Sequence, residues 1–374
     1  MPPYHGGPHP KKPRTTEGDL IHINEWLKPL SWLYGAGVWL RNLLFDSRLL
    51  PQVGYDRPVI CVGNITVGGT GKTPHTEMLL RLLMPRFSVA VLSRGYKRSS
   101  SGYRLATNSS TMQEIGDEPW QIKQKFPKAV VAVDGNRRRG LGHIFGDAAT
   151  KDTQVVILDD AYQHRYVKPR LSILLTDYHR LISDDCLLPA GRLREPATAK
   201  ERADIVIVTK CPGDMKPMDY RVVQEALDLK PFQSLFFTTF RYQPLQRLFV
   251  ETANKARKTE QLTPDTHILL LTGIASPQQM LLDLQGMTRH ITPITFADHH
   301  AFTPRDVERI EEAFTAMQGS KRLIVTTEKD AARLCLVENL SPIVRRHIYV
   351  LPIEVEILQG RHREFEAAVM AAIA

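Results

Sequence analysis

The stretch GNITVGGTGKTP, residues 63–74, sets a lysine and a threonine behind a glycine cluster, the residue types that grip a polyphosphate. Counted back from Gly71-Lys72-Thr73, the first glycine of the usual G-x-x-x-x-G-K-[ST] pattern falls at position 66, and the chain has Thr66 there. Gly68, Gly69 and Gly71 still permit torsions and close approaches that a Cβ resists. The run Thr66-Val67-Gly68-Gly69-Thr70-Gly71-Lys72-Thr73 therefore reads as a nucleotide-binding loop. Its N–H groups cradle phosphate at the start of a helix, Lys72 reaches the terminal phosphates, and the Thr73 hydroxyl ligates Mg2+. A glycine turn that binds nothing is the weaker alternative, because an apolar strand precedes the loop and a helical pattern follows it.

A metal partner belongs at the end of a neighbouring strand. QVVILDD supplies Asp159 and Asp160 after an apolar run, one to hold Mg2+ and the other to face substrate; which does which stays open, and a solvated strand end is the alternative. The elements that must hold these residues alternate: apolar runs at 58–67, 88–96, 129–134, 154–162, 171–177 and 203–210, separated by helical stretches. This predicts an α/β fold of the P-loop NTPase kind, a mostly parallel sheet with helices on both faces and ligands at the carboxyl ends of its strands.

The last third predicts a smaller α/β unit, with strands in THILLLTGIA, HITPITFADHH and KRLIVTTEKDAARL and a helix from Pro304 capped by Thr303. FFTTFRYQPL (236–245) and HIYVLPIEVEI (347–357) read as the two strands of a hinged connector. The expected division is a tail over 1–20, a kinase domain over 21–235, a smaller domain over 236–357 and a terminal helix over 358–374. Residues 23–45, apolar and aromatic but broken by Glu25, Lys28, Pro29 and Arg41, are too interrupted to span a bilayer. Trp26, Trp32, Tyr34 and Trp39 suit a headgroup boundary, with Lys28 and Arg41 on lipid phosphates; a helix packed on its own domain is the alternative. The formal net charge of +9 invites an acidic partner, and the four scattered cysteines form no zinc or disulfide pattern.

GNITVGGTGKTP, LSRGYKR, IGDEP, VDGNRRRG, ILDDAYQHR, LLPAGRLREP, VTKCP, FADHHAFT and VTTEKDAARL stand in the order of the tetraacyldisaccharide 4'-kinase family, which this chain resembles from about Leu27 to Leu334. The resemblance explains Thr66, since that family spells its loop GN-x-T-V-G-G-T-G-K-T. It implies phosphorylation of the lipid A disaccharide precursor with ATP and Mg2+, at the cytoplasmic face of the inner membrane, with no nucleic acid and no obligate protein partner. It implies catalytic roles for Lys72, Asp160 and Asp117, the last paired with a histidine of FADHH: His299, or His300 if the register slips by one. Arg94, Arg137, Arg138, Gln163, His164, Arg192 and Arg194 become candidate substrate contacts, with Glu195 orienting Arg194. The TEKD segment is expected near adenine, unless it is only a capped strand–helix turn. The chain departs from the family's D-D-G-L-Q-H, reading Asp159-Asp160-Ala161-Tyr162-Gln163-His164.

Two other functions compete. A P-loop kinase of a soluble metabolite would leave Trp26 to Phe45 as packing. A nucleotide-switched partner-binding NTPase would use TKCP as a guanine signature, but Pro212 replaces the required aspartate. No aromatic-basic motif supports nucleic-acid binding.

Overall fold

The computed structural model describes residues 23–249, 259–274, 277–297, 300–337 and 340–374. It begins with a 3-10 turn, Glu25–Leu27, and helix α1, Lys28–Asp46. A first unit follows: β1 (Val59–Gly63), α2 (Lys72–Leu83), β2 (Val89–Ser93), β3 (Arg104–Leu105), α3 (Met112–Ile115), α4 (Asp117–Lys125), β4 (Val130–Val133), α5 (Arg137–Gly146), β5 (Val155–Asp159), β6 (Leu171–Asp177), β7 (Ile205–Thr209), α6 (Pro217–Leu227) and β8 (Ser234–Tyr242). A second contains β9 (Leu245–Arg247), β10 (Thr259–Glu260), β11 (His267–Thr272), α7 (Gln278–Gln285), β12 (His290–Thr295), α8 (Pro304–Ala316), β13 (Arg322–Thr327), α9 (Glu328–Leu334), α10 (Pro342–His347) and β14 (Ile348–Leu351). The chain ends with β15 (Ile353–Ile357) and α11 (His362–Ile373).

The large sheet runs β15-β8-β7-β6-β1-β5-β2-β4-β3 and is parallel from β8 to β4, with antiparallel strands at its two edges. Strands buried on both faces send alternate residues to opposite cores. Val59 and Cys61 point to one core and Ile60 and Val62 to the other. The small sheet, β10-β9-β14-β13-β11-β12, repeats this: Leu269 and Leu271 pack on one side, Ile268 and Leu270 on the other. The α/β fold is thus the one the apolar runs predict. Thr303 caps α8 through a reciprocal capping box with Asp306, as expected.

Both stretches that read as connector strands are split by proline, which cannot donate to a ladder. Pro244 separates β8 from β9, and Pro352 separates β14 from β15. The N–H of Gln243 donates to the Pro352 carbonyl at 2.9 Å where the two passages meet. β15 is an edge strand of the large sheet and β8 lies just inside it, the two paired from Tyr242↔Ile353 to Thr238↔Ile357, and α11 packs Phe365 edge-on against Phe236 of that sheet.

In the large sheet β1 lies between β5 and β6, and the chain leaves it in opposite directions to reach β2 and, later, β6. The loop after β1 therefore opens at the point where the strand order reverses.

Candidate active site

β1 ends at Gly63, where a Cβ would lie 2.7 Å from that of Tyr162, so the turn after Asp160 folds tightly over the strand end. The buried Asn64 amide then staples the loop from within, donating to Thr66 Oγ1 at 3.2 Å and to Thr70 Oγ1 at 2.8 Å. Outside, the N–H of Val67 donates to the Arg192 carbonyl at 2.8 Å. Gly68 and Gly71 have φ of +111° and +82°, which only glycine adopts without strain. Nothing lies within 4 Å of the Cβ positions of Gly68 and Gly69, so the loop curls around open space. Lys72 and the buried Thr73 begin α2, whose free N–H groups complete an anion cradle.

Asp159 and Asp160 differ sharply. Asp159 closes β5 and is fully buried; Thr76 Oγ1 donates to it at 3.1 Å and Ser93 Oγ at 3.4 Å. Burial above all, with Glu118 and Asp160 adding to it, pushes its carboxyl up to about 7. Asp160 has a left-handed φ of +46° and turns back over the loop. Its Oδ1 lies 3.2 Å from Arg194 Nη2 and 3.7 Å from Lys72 Nζ. Burial alone would raise its pKa, but Lys72 and Arg194 outweigh burial and hold the carboxyl below its ordinary value. Such a backbone strain is sustained only where the surroundings dictate it.

Asp117 stands at the start of α4, behind Gly116 at φ +91°. Its Oδ2 accepts from Arg333 Nη2 at 2.7 Å and from Nε at 3.1 Å, and Arg333 also reaches Asp330 at 3.2 Å. Lys329 lies 3.4 Å from Glu118. Lys125 bridges Glu77 of α2 and Glu328 at 2.7 and 2.5 Å. The TEKD segment is a capped strand–helix turn: Thr327 accepts from the N–H of Asp330, and Asp330 accepts from the N–H of Gly273. It also joins the two units through α4. His299 lies outside the described residues. His300 is 2.9 Å from Asp306 in the α8 cap and stacks on Phe296.

The candidate substrate residues divide. Gln163 Nε2 donates to the Asn64 carbonyl at 2.7 Å, and Arg194 bonds to the Asn64 side chain, so both sit against the phosphate loop. Arg94, Arg138 and Arg192 are exposed. Arg137 is buried and turned onto main-chain oxygens, donating to Asp134 at 2.8 Å and to Asp159 at 3.1 Å. Burial first, then Arg137 and the neighbouring arginines, lower the His164 imidazole to about 4. Glu195 does not orient Arg194. The chain bends at Arg194 and Glu195, and Glu195 is buried on Arg202 at 2.8 Å and Asn42 at 3.4 Å. Asn64, Thr76 and Arg333 escaped the sequence reading; only Asn64 left a signal, the Gly-Asn step after the strand.

Helix α1 inverts the usual amphipathic order. Its polar positions face the protein: Ser31 donates to the Leu187 carbonyl at 2.9 Å, Tyr34 Oη donates to that of Arg194 at 2.9 Å, and Asp46 pairs with Arg165 at 2.6 Å. Arg41 is turned inward onto the Gln163 carbonyl and over the Phe45 ring, away from the headgroup position expected for it. Trp32, Leu33 and Trp39 are left 73%, 76% and 61% exposed, and Trp26 just before the helix 93%. Among the described residues no helix is long and apolar enough to cross a membrane.

A family model described as tetraacyldisaccharide-1-P 4'-kinase matches residues 23–374. A relative named tetraacyldisaccharide 4'-kinase from Phocaeicola vulgatus is 53% identical over 351 residues, covering 94% of this chain and 95% of its own. Another of that name from Bacteroides thetaiotaomicron is 51% identical over 359 residues, covering 95% and 94%. The solved structure of "apo" form LpxK from Aquifex aeolicus in complex with ATP matches with a TM-score of 0.70 at 26% identity, over 93% of this chain and 99% of that one. A single family model thus spans both sheets together with the loop, the acids and the inverted helix, and the chain belongs to the tetraacyldisaccharide 4'-kinase family.

Proposed function

We infer that the protein transfers the γ-phosphoryl group of ATP to the 4'-hydroxyl of the tetraacyldisaccharide 1-phosphate precursor of lipid A, giving lipid IVA. One observation carries the reading beyond family membership: the helix with the exposed aromatic face is bonded to the residues that flank the phosphate loop, through Tyr34 to Arg194 and Arg41 to Gln163. An acylated acceptor lying against that face would bring its sugar to the terminal phosphate. A soluble-metabolite kinase has no use for such a face, and Pro212 disfavours a guanine switch.

Phosphoryl transfer asks the protein mainly for alignment and charge. On this reading the loop N–H groups and Lys72 hold the β- and γ-phosphates, and Arg194 steadies Asp160 at the mouth. Thr73 and the Asp159–Asp160 pair offer oxygen donors only, the preference of Mg2+. Asp159 is a buried carboxyl met by two hydroxyl donors, under-compensated in the way a bound cation would correct. Magnesium, when bound with ATP, neutralises charge developing on the phosphates. Asp117 serves the acceptor hydroxyl together with His299, because His300 is taken up by the α8 cap. Arg94, Arg138 and Arg192 are exposed cations available to the substrate 1-phosphate. The exposed face of α1 docks on the cytoplasmic leaflet of a Gram-negative inner membrane, where ATP and the lipid meet.

The test is direct: protein, Mg2+, radiolabelled ATP and the tetraacyl disaccharide 1-phosphate in mixed micelles should yield a product with a new phosphate at the 4' position. Transfer to a soluble sugar at a comparable rate, or with GTP in place of ATP, would refute the reading.

A further inference from the structure

His75 lies one turn into α2 and is fully buried, and the chemistry above makes no use of it. Its Nδ1 is 2.7 Å from the carbonyl of Gly71, the last glycine of the phosphate loop, and its Nε2 is 3.0 Å from the hydroxyl of Thr238 on β8. A carbonyl only accepts, so Nδ1 carries the hydrogen. A neutral imidazole has one N–H, so Nε2 accepts from the Thr238 hydroxyl, for which the Val208 carbonyl at 3.4 Å is the longer and weaker alternative acceptor. The ring therefore ties the loop to the strand with both nitrogens committed.

The same strand touches the loop again. Phe240, two residues on and so on the same face, would lie 2.8 Å from a Cβ at Gly71. Two residues further, Tyr242 Oη donates to Asp283 of α7 in the small unit at 2.8 Å. Thr238, Phe240 and Tyr242 thus form one row along β8, the first meeting the phosphate loop through His75, the second directly at Gly71, and the third meeting the small unit. β8 is also the strand by which the chain leaves for that unit. A displacement of the small unit that tilts β8 must move Phe240 against Gly71 and Thr238 against His75, which holds the Gly71 carbonyl.

We propose that His75 is a positioning residue that couples the phosphate loop to β8, so that loop geometry and the placement of the small unit change together. The inference rests on the phosphate-loop reading. It asks of the side chain at 75 two separable bonds, one setting the loop and one carrying the coupling.

The separation can be measured in the micelle kinase assay with His75→Asn, His75→Leu, Thr238→Val and Tyr242→Phe, with ATP affinity read independently by a fluorescent ATP analogue. Asn keeps a donor near the Nδ1 position, so H75N should hold the ATP KM within about twofold while kcat falls; H75L, lacking both bonds, should raise the ATP KM about three- to tenfold as well. T238V leaves the loop-side bond and should lower kcat about three- to tenfold with ATP KM little changed. Combined with Y242F, it should do little more damage than either single change, because both act along one strand. Normal kcat in both T238V and H75N, or additive losses in the double variant, would overturn the coupling. Should H75L not fold, the T238V–Y242F pair decides alone. Failure of the parent reading looks different: there Lys72→Ala would leave ATP binding and transfer intact, whereas a failed coupling leaves Lys72→Ala inactive and the β8 variants silent.

Discussion

Arg333 of the small unit grips Asp117 of the large one through two nitrogens on one carboxylate oxygen, at 2.7 and 3.1 Å. With Glu118–Lys329 and Lys125–Glu328 it makes α4 and α9 an interlocked pair, and it fixes the direction of the acid assigned to the acceptor hydroxyl. Removing the guanidinium strands Asp117 and Asp330 beside each other's charge. Arg333→Met should lower kcat about 10- to 100-fold, with Arg333→Lys in between, since lysine keeps the charge but not the fork. Steady-state kinetics beside thermal melts would show it; an Arg333→Met enzyme with normal kcat would remove Arg333 from the mechanism.

Lys72→Ala should cost transfer on the order of 10³-fold or more while the fold stays intact, because Lys72 pairs with Asp160 at the loop mouth and supports no core. Circular dichroism and single-turnover transfer together check this. Near-normal turnover in a folded variant would undo the nucleotide assignment.

His164 gives the protein an acid-sensitive limb. Its folded-state pKa, about 4, is below the ordinary 6.5, so the unfolded chain binds the proton first. The stability this contributes is present above pH 6.5 and drains away as pH falls toward 4. His164→Asn should flatten the melting temperature across that window by roughly 1–2 kcal/mol of stability, discounted for partial exposure. An unchanged slope in the variant would place the limb on other groups.

The aromatic face of α1 is best probed at its surface. Deleting residues up to 45 would also remove Tyr34, Arg41 and Asn42 from the loops that shape the site. Trp26, Trp32 and Trp39 changed together to glutamine should abolish binding to anionic liposomes, leave ATP affinity within about twofold, and raise the KM for lipid about tenfold or more. Liposome binding retained by that triple variant would end the docking proposal.

Six parallel strands of the large sheet, β1, β2, β4, β5, β6 and β7, were legible because buried parallel strands are written as unbroken Val, Ile and Leu runs, and the loop because glycine, lysine and threonine are constrained in order; the two-residue β3 leaves no such run, and β8 and β15 read as a connector. What escaped has a common cause. Arg333 and Asp117 are 216 positions apart, and no local pattern announces their meeting. Glu195 adjoins Arg194 in sequence, but the chain bends there and its carboxylate is buried against Arg202. HIYVLPIEVEI reads as one strand; Pro352 makes it two, in different sheets.

The pairing of Tyr242 with Ile353 makes the small unit a single excursion between two adjacent antiparallel strands. As the chain emerges from the ribosome, the large sheet must therefore stand with an unpaired edge at β8 until residues 243–352 have been synthesised, and only then can β15 and α11 seal it. The hydrophobic face that receives Phe365 and Val369 is bare for the same interval. The same geometry defines a minimal molecule: with residues 243–352 replaced by a two-residue Asn-Gly turn, β8 and β15 become an ordinary hairpin, and the remaining chain keeps its phosphate loop, both aspartates and α1.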